Sequence, residues 1–440
     1  MHFGLALSMV GEVERAASFE LFSDSLDPEW IQRALNATGT VSIRRRKFPA
    51  EYALWTVIGM GLFRDRSIQE VVAHLHLVLP DDKQSFRRGR VTSSAVVQAR
   101  NRLGSAPLEA LFDLTSMEWA VRSADQRRWR GLALYGIDGT VLRIADTPEN
   151  EADFNRPGTG RDPAAYPQVR IVGLMALRSH LLAGLAMGAW NQSELSLAES
   201  LWEKIPEKTL TLFDKGFLSY SLLQRIQAGG VERHWLVPAK KNFKCTVVQQ
   251  LGPSDELVEI APARTTRRNH PDLPETMTVR AIHYQRSGFP PKTLLTSLLD
   301  PNAYPAHEIL ELYHERWEIE IGYDEIKTHT LERQETLRSR SPERVRQEIW
   351  GIALGYNLVR LEMERVADRE QVPPNRISYR HALMLIRNFW VTAWIASPGV
   401  LPKRLKTMQE ELALLILPPR RKRAYPRAVK IKMTRYPRKR

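Results

Sequence analysis

Leu132-Ala133-Leu134-Tyr135-Gly136-Ile137-Asp138-Gly139 is a short apolar run of strand character that ends in an Asp-Gly pair. It marks a change of period. Upstream, the first 125 residues read as helical. Phe48 to Leu75 carries apolar residues at helical spacing, broken near Arg64-Asp65-Arg66-Ser67, and a second unit runs from Ser93-Ser94, a plausible N-cap, to Gly104. That second helix bears Gln98, Arg100 and Arg102, which suit a duplex or simply a solvated face. Downstream, strand-like runs at Val169 to Leu177 and Leu181 to Trp190 flank a hairpin-like Arg178-Ser179-His180. A helix from Ser193, the strand Thr209 to Asp214, a helix from Leu218 and the strand His234 to Pro238 follow. The order β-β-β-α-β-α-β predicts a mixed sheet in which antiparallel strands join parallel βαβ units.

From Lys240 to Pro305 the rhythm breaks. Leu257 to Ile260, Met277 to Tyr284 and Thr293 to Leu298 are candidate strands set among Pro, Asn and Arg, which reads as an insertion. Helical pattern resumes at His307 and continues with breaks to about Met408.

Asp138 and Asp214 each end an apolar strand and precede a glycine within two residues. Either alone is an ordinary turn initiator. The stronger pattern is Tyr313-His314-Glu315-Arg316-Trp317-Glu318-Ile319-Glu320-Ile321-Gly322-Tyr323-Asp324-Glu325-Ile326-Lys327. At about 100° per residue, Tyr313, Arg316, Glu320 and Lys327 fall within roughly 60° of arc on one helix face. A carboxylate flanked by guanidinium, ammonium and phenol suits metal and phosphate together. A salt-bridged surface helix is the plain alternative, and Asp324 shares the face, so spacing alone does not select Glu320.

The spacing Y-(2)-R-(3)-E-(6)-K at Tyr313, Arg316, Glu320 and Lys327 resembles the YREK motif of DDE transposases of the insertion-sequence-4 type. Asp138 in Gly136-Ile137-Asp138-Gly139-Thr140 looks like that family's first catalytic Asp, and Asp214 in Asp214-Lys215-Gly216-Phe217 like the second. Met1-His2-Phe3-Gly4, Thr38-Gly39-Thr40 and Tyr425 to Lys430 add to the likeness, which spans nearly the whole chain. The resemblance implies a mixed α/β fold with a ribonuclease-H-like catalytic core over 126–370, carrying a β-rich insertion at about 241–305. A helical N-terminal DNA-binding domain over 1–125 and a C-terminal helical segment with a basic tail over 371–440 would flank it.

In such a core the first and fourth strands are neighbours, which would bring Asp138 and Asp214 together and let the last helix deliver Glu320. The implied activity is binding of terminal inverted repeats, cleavage of the element's ends and their joining to target DNA, by a homodimer pairing two ends. Asp138, Asp214 and Glu320 would be catalytic and would hold Mg²⁺ or Mn²⁺, as two ions about 3.5–4 Å apart. Tyr313, Arg316 and Lys327 would contact the end DNA. The insertion contains no Trp, so a DNA hairpin step stays open. A nuclease of the same fold and a catalytically silent DNA-binding descendant are the rival readings.

Composition points to a polyanionic partner, and charge alone does not distinguish DNA from RNA or an anionic lipid. The 440 residues carry 64 Lys or Arg against 50 Asp or Glu, a net +14. Eleven of the basic residues lie between Arg420 and Arg440, which hold no acid, leaving +3 for the rest. Smaller clusters sit at Arg44 to Lys47, Arg87 to Arg90 and Arg127 to Arg130. Each phosphate neutralised by such residues releases counterions and adds sequence-independent affinity for double-stranded DNA. One cysteine excludes an intramolecular disulfide or Cys-based zinc site. No Walker-type glycine loop suggests a nucleotide cofactor, His74 and His76 lie too far apart around a helix to ligate jointly, and no apolar run reaches membrane-spanning length. These features suit a cytoplasmic, nucleoid-associated bacterial protein.

Overall fold

The strand that opens at Ala133 does not stop at Asp138. In the computed structural model, which describes residues 26–41, 48–75, 92–158, 164–286, 288–332, 336–393 and 400–418, it runs on to Arg143 as β1 (Ala133–Arg143). Asp138 is therefore mid-strand, a correction to the expected strand end. β1 continues because β2 (Gln168–Ala176) pairs with it antiparallel through Arg143↔Gln168. β3 (Leu182–Ala189) is antiparallel to β2, and the turn between them places His180 at φ +61°. β4 (Thr209–Phe213) and β5 (Arg233–Pro238) add in parallel on the other side of β1.

The insertion does not form a sheet of its own. β6 (Thr246–Gly252), β7 (Asp255–Ile260), β8 (Met277–Tyr284) and β9 (Lys292–Thr296) extend the same sheet, because β9 pairs antiparallel with β5. The result is one nine-stranded sheet in the order β3-β2-β1-β4-β5-β9-β8-β7-β6. β6 escaped the sequence reading. Its Thr-Val-Val-Gln-Gln lies exposed at the sheet's edge, so no alternation of buried and exposed positions marks it.

The N-terminal helices are α1 (Pro28–Ala37), α2 (Ala50–Leu62), α3 (Ile68–Leu75), α4 (Ser93–Leu103) and α5 (Ala106–Asp125). Around the sheet lie α6 (Pro148–Phe154), α7 (Glu194–Trp202), α8 (Tyr220–Ala228) and α9 (Arg264–Asn269). After the insertion come α10 (Ala306–Leu312), α11 (Trp317–Asp324), α12 (Pro342–Arg369), α13 (Tyr379–Ala393) and α14 (Leu401–Ala413). α4 is capped by Thr92, whose Oγ1 accepts from the Ala95 amide at 3.2 Å, one residue before the expected cap.

α2 is apolar nearly all round, the pattern of a helix buried on every side, and α12 is buried along most of its length despite carrying several buried polar and charged side chains. They cross at glycines. A Cβ on Gly351 would lie 2.5 Å from the Val57 carbonyl oxygen, and one on Gly61 2.7 Å from the Gly351 carbonyl oxygen. Gly351→Ala should therefore cost about 1–3 kcal/mol by forcing the backbones apart. Urea denaturation measures this, and a loss below about 0.5 kcal/mol, the scale of neutral surface changes, would mean that the crossing relaxes without strain.

Polar side chains lock the N-terminal helices onto α12. Arg64 and Glu348, both almost fully buried, form a direct ion pair, and Arg64 Nη2 also donates to the Thr336 carbonyl at 2.7 Å. Glu348 further accepts from the Arg338 and Ser339 amides at 3.1 and 3.0 Å. Arg100, one of the residues that suited a duplex, is buried instead, its Nε donating to Gln347 Oε1 at 2.8 Å. Burial lowers its pKa to about 10. Of the three, Gln98 and Arg102 remain exposed. Residues 1–4, Arg44 to Lys47, His76, Arg87 to Arg90 and the basic tail lie outside the described residues. No helix among the described residues is long and apolar enough to cross a membrane.

Candidate active site

Strand register brings the two aspartates to one place. The last parallel pair of β1 and β4 is Ile137↔Phe213, so Asp138 and Asp214 occupy the next step on neighbouring strands. Each folds one carboxylate oxygen onto the next amide. Asp138 Oδ1 accepts from Gly139 N at 2.8 Å and Asp214 Oδ1 from Lys215 N at 2.6 Å. Each second oxygen is left for other partners.

The acid-rich segment after the insertion is not one uniform helix. A 3₁₀ turn at Tyr313–Arg316 leads into α11, which passes into a π turn at Glu325–Thr330. The single-period wheel is therefore only approximate, and Lys327 lies on the π turn, half-buried beside Thr140, Leu142 and Tyr323. Such π turns concentrate at functional sites.

The structure sorts the acids of this segment by partner. Glu315 pairs with Arg178 at 2.8 Å. Glu318 and Glu325 take the two ring nitrogens of fully buried His180, at 2.8 and 3.3 Å. Glu325 also accepts from Tyr356 Oη at 2.7 Å and faces Arg360 at 3.4 Å. Burial alone would push the Glu325 carboxyl up, but Arg360, His180 and Tyr356 outweigh it and hold it down at about 2. These three glutamates fasten the segment to the body of the protein. Asp324 is exposed and accepts from Thr328 Oγ1 at 2.7 Å. Glu320 differs from all of them. Arg316 Nη2 meets its Oε1 at 2.7 Å, while Arg316 Nη1 stands 3.9 Å from Asp138 Oδ2. A guanidinium thus lies between the first aspartate and Glu320.

Tyr313 meets the same place from β4, donating to the Phe213 carbonyl at 3.2 Å, one residue before Asp214. Two neighbours escaped the sequence reading. Glu194, at the start of α7, packs on Gly139, where a Cβ would lie 2.4 Å from its carboxyl carbon, and pairs with Arg170 at 3.0 Å. Its position near Asp138 arises from sheet packing, for which the sequence carries no local signal. Trp317, 44% exposed with the Arg316 guanidinium 4.9 Å from its ring centroid, is legible only as a large aromatic on a polar segment.

Burial pushes the Asp138 carboxyl up to about 6; the Gly139 amide and Arg316 oppose the shift, and Glu320 and Glu194 add to it. A raised carboxyl pKa means that this group's contribution to folding stability is greatest below its unfolded value near 4 and is lost as pH rises through 6. Cation binding at Asp138 would run the other way, since it would need the carboxylate. Mn²⁺ affinity should therefore climb between about pH 5 and 7, and Asp138→Asn should flatten that climb, as read by Mn²⁺ titration at fixed ionic strength.

The donors are hard oxygens, suited to Mg²⁺ or Mn²⁺, and Arg316 already provides a cation beside two of them. Among the described residues, no group of three or more His, Cys, Asp or Glu side chains is gathered closely enough to hold a metal ion.

Comparison with known proteins gives a consistent answer. Residues 16–113 match the family described as "Insertion element 4 transposase N-terminal" and residues 130–358 the "Transposase DDE domain", a domain that implies a ribonuclease-H-like core and divalent-metal use. The chain is 39% identical over 441 residues to the transposase InsG for insertion sequence element IS4 of Escherichia coli K12, covering 99% of this chain and 98% of that protein. It is 36% identical over 233 residues to the putative transposase InsZ of the same organism, covering 53% of this chain and 75% of that one. A piggyBac transposase synaptic complex with hairpin DNA aligns over 94% of this chain and 88% of that chain, at TM-score 0.41 and 12% identity, a level that carries no weight here.

Proposed function

Because the chain belongs to the DDE transposases of the insertion-element-4 family, we propose that it binds the terminal inverted repeats of an insertion sequence, cleaves the ends and joins them to target DNA. The observation that carries the reading is the shared register step of Asp138 and Asp214, with Glu320 linked to Asp138 through Arg316.

In this reading Asp138, Asp214 and Glu320 hold divalent metal through oxygens not committed to backbone amides. What bound Mg²⁺ or Mn²⁺, as two ions, supplies is activation of the attacking water or 3′-hydroxyl and stabilisation of the leaving oxygen. The protein's own contribution is positioning and charge. Arg316, already between Asp138 and Glu320, would offset the phosphate charge with its planar guanidinium. Tyr313 and Lys327 line the approach to the scissile phosphate, and Trp317 offers an exposed π-face to a base. Residues 1–125 and the basic tail bind DNA and the partner subunit. A homodimer pairs two ends, one active site for each.

The test uses duplexes bearing the element's own ends. With Mg²⁺ or Mn²⁺ the protein should cut at the ends and join pre-cut ends to a target plasmid. Cutting without joining would make it a nuclease of this fold, and binding without either a silent DNA-binding protein.

A further inference from the structure

Tyr323 lies outside the four-residue spacing that drew attention to this helix, yet it makes the most direct link between the helix and Asp138. Its hydroxyl donates to the Asp138 backbone carbonyl at 2.7 Å, and its side chain is buried. β4 has ended at Phe213, so at Asp138 the strand has lost its parallel neighbour on one side. On the other side the register partner of Asp138 is Gly173, where a Cβ would lie 2.8 Å from the Tyr323 hydroxyl oxygen. Only a residue without a side chain leaves room for the phenol at that spot. Gly322 allows an equally close approach, since a Cβ there would lie 2.5 Å from the Met175 methyl carbon.

The arrangement is matched ten residues earlier, where Tyr313 donates to the Phe213 carbonyl beside Asp214. Two phenols on the segment bearing Glu320 thus grip the backbones of the two strands bearing the aspartates.

We propose that Tyr323 is a positioning residue: its hydroxyl ties the Asp138 peptide to the helix bearing Glu320 and so sets the separation at which the two carboxylates share a cation. The role rests on reading Asp138 and Glu320 as joint metal ligands. Partners that orient ligands in this way typically change metal affinity by about 10–100-fold when removed.

Tyr323→Phe removes the donor and keeps the ring. Tyr135→Phe is the control, since Tyr135 stands on the same strand and its buried hydroxyl has no hydrogen-bond partner among the described residues. Mn²⁺ binding to the DNA-free protein is followed by electron paramagnetic resonance, and end cleavage is measured against Mn²⁺ concentration. Tyr323→Phe should raise the half-saturating Mn²⁺ about 10-fold in both assays, with cleavage restored at saturating Mn²⁺. Its thermal midpoint should stay beside that of Tyr135→Phe, whose Mn²⁺ dependence stays that of the wild type. An unchanged Mn²⁺ dependence in Tyr323→Phe, or an equal shift in Tyr135→Phe, overturns the proposal. If the wild type binds Mn²⁺ and cuts no ends, the transposase chemistry fails by itself, and the Mn²⁺ titration still decides for or against Tyr323.

Discussion

Glu320→Gln should leave end binding intact and lower strand cleavage on the order of 10³-fold, about 4 kcal/mol of barrier. The substitution keeps the side chain's shape and its reach to Arg316 but removes the charge that a divalent cation needs. Binding survives because the folding contacts of the segment belong to Glu315, Glu318 and Glu325, not to Glu320. Asp324→Asn is the matched comparison. Its carboxylate accepts from Thr328 on the exposed side, so cleavage should stay within about twofold of the wild type, under 0.5 kcal/mol. Single-turnover cleavage of a labelled end duplex, with gel-shift binding on the same preparations, reads both. More than a tenth of wild-type cleavage in Glu320→Gln, or a collapse in Asp324→Asn, would show that the acid had been misassigned.

The largest stability loss is expected from Arg64→Ala. Glu348 would be left charged and buried, holding only backbone amides and the Ser339 hydroxyl as donors. Breaking a buried pair from one side costs about 3–5 kcal/mol because the surviving charge is uncompensated. Arg64 also bonds the Thr336 carbonyl, so the chain entering α12 loosens with it. Arg64→Ala combined with Glu348→Leu should recover part of the loss, since replacing both members removes the stranded charge. Urea unfolding of Arg64→Ala, Glu348→Leu and the double variant measures this. A single-variant loss under 1 kcal/mol, or a double variant as unstable as the two losses summed, would show that the pair does not carry that energy.

How much of this was legible depended on whether the signal was local. β1 to β5 announced themselves through apolar runs, and it was the core implied by the family resemblance that put Asp138 beside Asp214, a placement the strand register agrees with. The end of β1 was misread because Asp-Gly favours turns locally, whereas β2 supplies pairing as far as Arg143. β6 was missed for the opposite reason, since an exposed edge strand has no buried face to pattern. Arg100 looked like a surface cation because only the fold brings Gln347 to it from 247 residues away. In the segment from Tyr313 to Lys327, composition gave the chemistry but not the assignment of acids. Arg178, His180 and Arg360 account for Glu315, Glu318 and Glu325, and what separates Glu320 from Asp324 is the Arg316 link to Asp138, which only the fold supplies.

The register of β4 sets which insertions and deletions the chain tolerates. Between β3 and β4 the turn at 190–193 and the connection at 203–208 are surface segments in which added or lost residues can be absorbed. Within Thr209 to Phe213 there is no such slack. One residue gained or lost in those five carries Asp214 to the opposite face of the sheet while Asp138 stays where it is. Length changes should therefore be tolerated better in those connections than in the strand, and a frame-preserving single-codon change at 209–213 should separate Asp214 from Asp138.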